Sequence, residues 1–345
     1  MLTEKQVKDI REHLSNAQNP LFLFDNDQDG LCSFLLLQRY IGRGKGFPVK
    51  VSPEMTKDYF RKVNELHADY IFILDQPEVS KEFFEEVEKI NIPIVWIDHH
   101  ETDLEKIPGY VNYYNPLFNE EKTKEPVTAL CYQISNKRED SWIGVVGCIA
   151  DNFFPDFYKD FKKDYPELAI ESKEPFKIFY SSEIGKIARI FGFAMKDRIS
   201  NAIQFFKFLL KVKNPYEILN ESKENKSFHM RFLEIEDKFN KIIEKAKRET
   251  SGKLILFKYA GDTSMSADIA NKLKFLFPDK IVIVLYTKGF KANVSARGKN
   301  IRKIILEAIN DLEGATGGGH EDAAGAQVKI KDLKEFEERI KRIVN

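Results

Sequence analysis

Three short runs in the first third of the chain, Leu21–Phe24, Tyr70–Leu74 and Ile94–Ile97, are apolar at consecutive positions. A strand covered on both faces loses its polar alternation, so these runs read as buried strands, with Phe47–Ser52 as a further strand. Helical spacing fills the intervals over Leu31–Tyr40, Met55–Leu66 and Ser80–Ile90. Strand and helix in alternation predict a parallel, right-handed wound sheet. Ahead of it, Met1–Leu14 mixes Val7, Ile10 and Leu14 with charges, the pattern of an amphipathic surface helix without the apolar core of a signal peptide. Beyond it, Val111–Pro116 runs into a loop, Thr128 caps a helix over Ala129–Ser135, and Trp142–Ala150 is a helix whose Gly144 and Gly147 suit close packing.

From Pro155 to about Thr250 strand signals vanish and helical periodicity persists, ending in one charge-rich helix over Met230–Glu249. Its aromatic stripes are expected in the core. The last part, Ser251 to Asn345, returns to α/β character: strands over Lys253–Tyr259, Lys280–Tyr286 and Ala292–Ala296, a helix over Ala267–Phe277, and a glycine loop from Gly314 to His320. The fold class expected is α/β: a parallel-sheet domain over 1–154, a helical extension and connecting helix over 155–250, and a smaller α/β domain over 251–345.

Composition adds limits. The 345 residues, 43% of them hydrophobic, are enough for about two domains. Lysine and arginine number 54, as do aspartate and glutamate, so no global field draws the chain to nucleic acid or an acidic membrane. A local field exists: Lys272, Lys274, Lys280, Lys288, Lys291, Arg297, Lys299, Arg302 and Lys303 face a single acid, Asp279, across Asn271–Lys303, which reads as a polyanion track. Cys32, Cys131 and Cys148 stand far apart in apolar contexts, as buried thiols of a reducing cytoplasm do. No apolar run approaches the ~20 residues of a membrane span.

The chemistry gathers at strand ends. Leu21–Phe24 leads into Asp25-Asn26-Asp27-Gln28-Asp29-Gly30, Leu74 into Asp75, and Ile97 into Asp98-His99-His100; the helix Trp142–Ala150 ends at Asp151. The first of these resembles a calcium loop, but Leu36 stands where a bidentate glutamate belongs and a strand precedes it. A strand-to-helix turn at the carboxyl edge of a parallel sheet, where ligands of such sheets gather, is the better reading. Asp25, Asp27, Asp75, His99 and Asp151 are oxygen and imidazole donors with no thiolate, a set suited to manganese or magnesium. With Asp75 bridging, two ions roughly 3.5–4 Å apart would activate water against a phosphodiester. His100 would then contact the phosphate or leaving group while Asp98 orients an imidazole. In the last part, Gly317-Gly318-Gly319 lets backbone amides approach an anion beside His320, without the Gly-Lys-Ser/Thr ending of a nucleotide-triphosphate loop.

In order and spacing these motifs resemble the DHH phosphoesterase superfamily, close to RecJ-like exonucleases of archaeal type. Asp25–Gly30 corresponds to the first motif, Asp75 to the second, Asp98-His99-His100 to the third and Asp151 to the fourth. The glycine run with His320, together with Ser295-Ala296-Arg297, resembles the DHH-associated substrate-binding domain. The resemblance implies a manganese- or magnesium-dependent hydrolase degrading single-stranded DNA or RNA from an end, with one or two ions. It also implies that Arg297, Gly318, Gly319 and His320 hold the nucleic-acid backbone, and that replication or repair proteins or a second copy of the chain are partner classes. One departure stands out: many members carry a metal-binding histidine just before the first aspartate, where this chain has apolar Leu21–Phe24, leaving His99 as the imidazole assigned to metal. A phosphodiesterase of short oligonucleotides or cyclic dinucleotides, and a non-catalytic single-strand-binding replication or repair scaffold, share the same motifs.

Overall fold

A computed structural model describes residues 1–50, 54–250 and 252–344, which separate into two compact units, Met1–Met230 and Arg231–Asn345. The first unit opens with helix α1 (Glu4–Asn16), started by a capping box between Thr3 and Gln6. There follow strand β1 (Pro20–Asp25), helix α2 (Gln28–Ile41), strand β2 (Lys45–Val49), the two-residue strand β3 (Glu54–Met55), helix α3 (Phe60–Glu65) and strand β4 (Tyr70–Leu74). Next come the two-residue strand β5 (Glu78–Val79), helix α4 (Lys81–Ile90), strands β6 (Ile94–Ile97) and β7 (Val111–Tyr114), and helices α5 (Val127–Ser135) and α6 (Ser141–Ala150).

The main sheet has the order β2-β1-β4-β6-β7 and every pair in it is parallel. Its central strands are apolar at every position because both faces are covered. Leu21, Leu23, Ile71, Ile73 and Trp96 join Phe83, Phe84 and Val87 of α4 on one side. On the other, Phe24 stacks on Phe34 of α2 with ring centroids 5.1 Å apart. Val111–Tyr114, expected to run into a loop, is instead the fifth strand, at the sheet edge. The expected strand Phe47–Ser52 is shifted to Lys45–Val49, and Val51 and Ser52 lie outside the described residues. Thr128 does not cap its helix: α5 begins at Val127 behind Pro126, and Thr128 lies within its first turn.

Helices α7 (Tyr158–Asp164), α8 (Pro175–Ser181), α9 (Glu183–Met195), α10 (Ile199–Leu209) and α11 (Tyr216–Leu219) complete this unit. Helix α12 (Lys226–Arg248) carries the chain across the boundary into the second.

In the second unit strand β8 (Leu254–Ala260) is followed by helix α13 (Ser266–Leu276), strands β9 (Ile281–Lys288) and β10 (Lys291–Arg297), helix α14 (Ile301–Ile309), strands β11 (Thr316–His320) and β12 (Ala323–Lys329), and helix α15 (Leu333–Val344). The sheet order is β11-β12-β10-β9-β8, parallel between β8 and β9 and antiparallel elsewhere. Ala292, Val294 and Ala296 join Ile301, Ile305 and Phe336 in the core beneath α14 and α15. The glycine loop expected from Gly314 to His320 is mostly strand, because Thr316–His320 pairs along its length with β12. No helix among the described residues is long and apolar enough to cross a membrane.

Candidate active site

Strand order and register build the site. The chain leaves β1 for β2 on one side and returns to β4 on the other, so the carboxyl ends of β1 and β4 flank a topological switch point. Phe24 is level with Leu74, Leu74 with Ile97, and Ile97 with Tyr114. The next residue of each strand therefore falls on one line: Asp25, Asp75, Asp98 and Asn115. Backbone bonds extend the ladder through that line, from Asp75 N to Ile97 O and from Asp98 N to Tyr114 O, both 3.0 Å.

From that line the acids converge. Oxygen and imidazole nitrogen atoms lie within 4.8 Å of one another in three overlapping groups: Asp25 with Asp27 and Asp75; Asp75 with His99 and His100; and His99 with Asp29 and Asp151. Asp75 and His99 link the groups, with Asp75 Oδ1 3.4 Å from His99 Nε2. Asp75 turns out of β4 in the left-handed region, at φ 60°, which Asp and Asn tolerate better than other side-chain-bearing residues. Asp27 caps α2, accepting from Gly30 N at 3.0 Å. The turn is tight: a Cβ on Gly30 would sit 2.4 Å from the carbonyl oxygen of Asp25. Gly30→Ala is therefore expected to destabilise by about 1–3 kcal/mol, lowering the melting temperature together with metal affinity. An unchanged melt would show that the turn relaxes freely.

Asp29, three residues beyond Asn26 and 2% exposed, takes a part its sequence position did not reveal. Its two oxygens accept from Val127 N at 2.9 Å and Thr128 N at 2.7 Å, so the start of α5 holds the carboxylate. Thr128 Oγ1 closes the clamp on Asp29 O at 3.0 Å. The middle helices brace the same turn from outside: Asn26 Nδ2 donates to Met195 O at 3.4 Å and Gln28 Nε2 to Ala188 O at 3.3 Å; after β2, Lys50 Nζ donates to Asp197 O at 3.0 Å. Gln76, 1% exposed, donates from Nε2 to Asp25 Oδ1 at 3.3 Å.

Asp98 is fully buried and does not join the three groups. Its Oδ1 is 2.7 Å from His100 Nδ1, and its Oδ2 accepts from His100 N, Thr102 Oγ1 and Tyr113 Oη at 3.1, 3.2 and 3.3 Å. Asn115 ties Tyr113 Oη and His100 O together at 2.8 and 2.9 Å. The adjacent histidines consequently differ. Burial pulls the His99 imidazole below its ordinary value, favouring the neutral form that ligates metal. Burial acts on His100 in the same sense but is outweighed by the bond and charge of Asp98, with Asp151 and Asp25 beyond, and its value rises to about 9.

Loss of solvent, reinforced by neighbouring carboxylates, lifts Asp25 to about 6 and Asp27 to about 7, and Asp75 well above the usual carboxylate range. Asp75 Oδ1 is buried without a hydrogen-bond partner. Crowded, poorly paired oxygens with one neutral imidazole are what a hard divalent cation satisfies, so the donor set fits manganese or magnesium. Asp25, Asp27, Asp29, Asp75, His99 and Asp151 are the groups that would hold it. Leu21–Phe24, at 0–1% exposure, supply no further donor.

The residues anticipated in the second unit fall at one end of its sheet. Ala323 lies opposite both Arg297 and His320, and Gly325 opposite both Ser295 and Gly318. Arg297 donates from Nε to Asn271 Oδ1 at 2.6 Å, and Ser295 Oγ to Ser266 Oγ at 2.9 Å. A Cβ at Gly318 would meet nothing within 4 Å, whereas one at Gly319 would strike Ala323 O. The nine-base run is not one track. Lys272 lies over the Phe275 ring, Lys274 and Lys280 are spent on backbone carbonyls, Arg297, Lys299, Arg302 and Lys303 lie toward one end of β10, and Lys288 and Lys291 toward the other.

Residues 21–148 match the family described as "DHH family, N-terminal domain", and residues 251–345 match the "DHHA1 domain". By sequence, no curated protein matches the chain. Among solved structures, RecJ from Thermus thermophilus in complex with Mn2+ is 15% identical with a TM-score of 0.70, over 98% of this chain. This chain spans 54% of that protein, about half its length. An exonuclease RecJ bound to manganese is 15% identical with a TM-score of 0.66, over 99% of this chain and 94% of its own. CDC45 from Entamoeba histolytica, 8% identical, gives a TM-score of 0.53 over 98% and 97%. At such identities the likeness is one of fold. Two family matches that together cover well over half of the sequence, laid on a fold shared with RecJ, make this chain a member of the DHH family that carries a DHHA1 domain.

Proposed function

We propose that the protein is a manganese- or magnesium-dependent exonuclease that hydrolyses phosphodiester bonds of single-stranded nucleic acid. The observation that carries this reading is the convergence of five carboxylates and His99 on the switch point, with the buried Asp75 Oδ1 unsatisfied. Divalent ions bound there would activate water and offset charge on the phosphoryl group. The chain's own residues do the rest. The start of α5 holds the Asp29 carboxylate in place, and Gln76 steadies Asp25. His100, an imidazolium at neutral pH, holds one proton at Nδ1 against Asp98 and brings the other at Nε2 to a phosphate oxygen or the departing oxygen. Arg297, Gly318, Gly319 and His320 hold the strand, Gly318 by leaving room for the phosphate backbone and Gly319 by letting β11 close on Ala323.

Asp98→Asn is expected to lower turnover by about 10–100-fold, the usual cost of losing a group that orients a site residue. It should also move the alkaline limb of the pH–rate profile downward, because His100 loses its main raising influence. A profile unmoved by the substitution would remove His100 from the mechanism. The proposed function itself is tested with end-labelled single strands of DNA and RNA, with and without manganese. Metal-dependent shortening from one end is expected. Turnover confined to dinucleotides would assign a short-oligonucleotide phosphodiesterase, and binding without cleavage a scaffold.

A further inference from the structure

Beyond the end of the sheet that carries Arg297 and His320, the same polar face continues to a second cationic end. Odd-numbered residues of β10 alternate away from the core formed by Ala292, Val294 and Ala296, so Lys291, Asn293, Ser295 and Arg297 share the opposite face. Side-chain bonds mark that face: Lys291 Nζ donates to Gln327 Oε1 at 2.6 Å, and Gln327 Nε2 to Asn293 Oδ1 at 3.1 Å. Glycine and alanine floor it at Gly318, Ala323 and Gly325. Lys291 is level with Lys288 and Lys329 on the flanking strands. Between Lys288 and Lys291, the two-residue turn Gly289-Phe290 exposes the Phe290 ring at 91%. The turn is braced, with Gly289 at φ 62° and Phe290 O accepting from Ile330 N at 2.9 Å.

We propose that Lys288, Phe290 and Lys291 form a second contact for the single strand, about 20 Å along β10 from Arg297 at ~3.4 Å per residue. This rests on the nuclease reading above. A base stacks on Phe290, and the flanking ammonium groups meet the adjoining phosphates; aromatic rings and cations alternating along a groove are the usual means of holding single strands without regard to sequence. Charge selects an anionic occupant. Among the described residues, nearby acceptors do not cancel it: Lys288 donates to the Asp262 carbonyl at 3.5 Å, and Glu313 is taken by Lys329 and Lys331 at 3.2 and 2.9 Å. The contact serves strands long enough to cross the sheet and adds nothing for a dinucleotide.

Anisotropy of the full chain with labelled oligothymidylate in EDTA tests it, with a labelled dinucleotide in parallel. Phe290→Ala is expected to weaken the long strand by about 5–100-fold, the effect of losing one base–aromatic stack, and to leave the dinucleotide unchanged. A Lys288→Ala/Lys291→Ala double variant is expected to reduce the slope of log affinity against log salt by about 1.4, for two single-strand phosphates. Unchanged long-strand affinity in both variants overturns the proposal, as does equal loss on both lengths, or loss only of binding to anionic phospholipid vesicles. Arg297→Ala, expected to weaken both lengths, reports on the first contact, and the nuclease reading is judged separately by manganese-dependent shortening of end-labelled strands by the unaltered chain. A chain that binds neither length overturns the second contact whether or not it cleaves.

Discussion

Asp75→Asn is expected to abolish metal-dependent hydrolysis while leaving the protein folded. Asparagine matches aspartate in size and accepts the left-handed backbone that Asp75 adopts at φ 60°, so the substitution removes charge without straining the turn. Two of the three donor groups contain Asp75, and its Oδ1 is buried without a hydrogen bond. Losing this oxygen's charge should cost turnover more than the ~10–100-fold attached to outer-shell partners. Stability separates this effect from damage to the fold. In the metal-free protein a buried carboxylate beside Asp25, Asp27 and Asp29 is a liability, so the variant should melt no lower than the parent in EDTA. The parent should gain about 2.7 kcal/mol from manganese at a hundredfold excess over its dissociation constant, and the variant little of this. A variant that keeps both the manganese-induced shift and turnover would remove Asp75 from the metal site.

The second large effect concerns pH. Asp25 and Asp27 stand at about 6 and about 7 in the folded chain, against an ordinary 3.8. A raised folded value means that the folded state binds the proton more tightly. The associated stability is thus complete below about pH 4 and is lost as pH rises through about 6 to 7. Solvent reaches both side chains and screens the effect, so what the measurement reads is its direction, a loss of stability with rising pH. His100 acts in the same direction between 6.5 and about 9, while His99, lowered from 6.5, opposes only on the acid side of that value. Melts in EDTA are therefore expected to fall from pH 5 toward pH 8, and manganese, which binds the deprotonated carboxylates and releases their protons, should restore the lost stability most strongly at the upper end. Melts in EDTA that rise steadily over this range would contradict the raised values of these acids.

Much of the fold was readable along the chain because its central strands are buried on both faces, which leaves the unbroken apolar runs of Leu21–Phe24, Tyr70–Leu74 and Ile94–Ile97. Val111–Tyr114 was not readable: at the sheet edge, with polar Asn112 half-buried inside it, the segment has neither an unbroken run nor a clean alternation. The glycine run was equally opaque, since residues without side chains have no pattern, and Thr316–His320 becomes a strand only through its pairing with β12. The base run misled for a related reason. The extended strand β10 set Lys291 and Arg297 at its opposite ends, and the hairpin returned Lys288 to the Lys291 end.

Sequence alone determined which candidate donors stand at the strand ends. Asp25, Asp75 and Asp98 each directly follow a buried strand, and parallel strands deliver such residues to one edge whatever the details of packing. The acids after Asp25 and the two adjacent histidines were likewise plain. Only the tertiary structure decided how each is used. Register set Asp25, Asp75, Asp98 and Asn115 on one line, the start of α5, nearly a hundred residues on, clamped Asp29, and burial of Asp98 against His100 gave two neighbouring imidazoles opposite charge preferences. Those outcomes depend on distances between segments remote in the chain, and a hydrogen bond, a buried charge or an unpaired oxygen exists only once those distances are fixed.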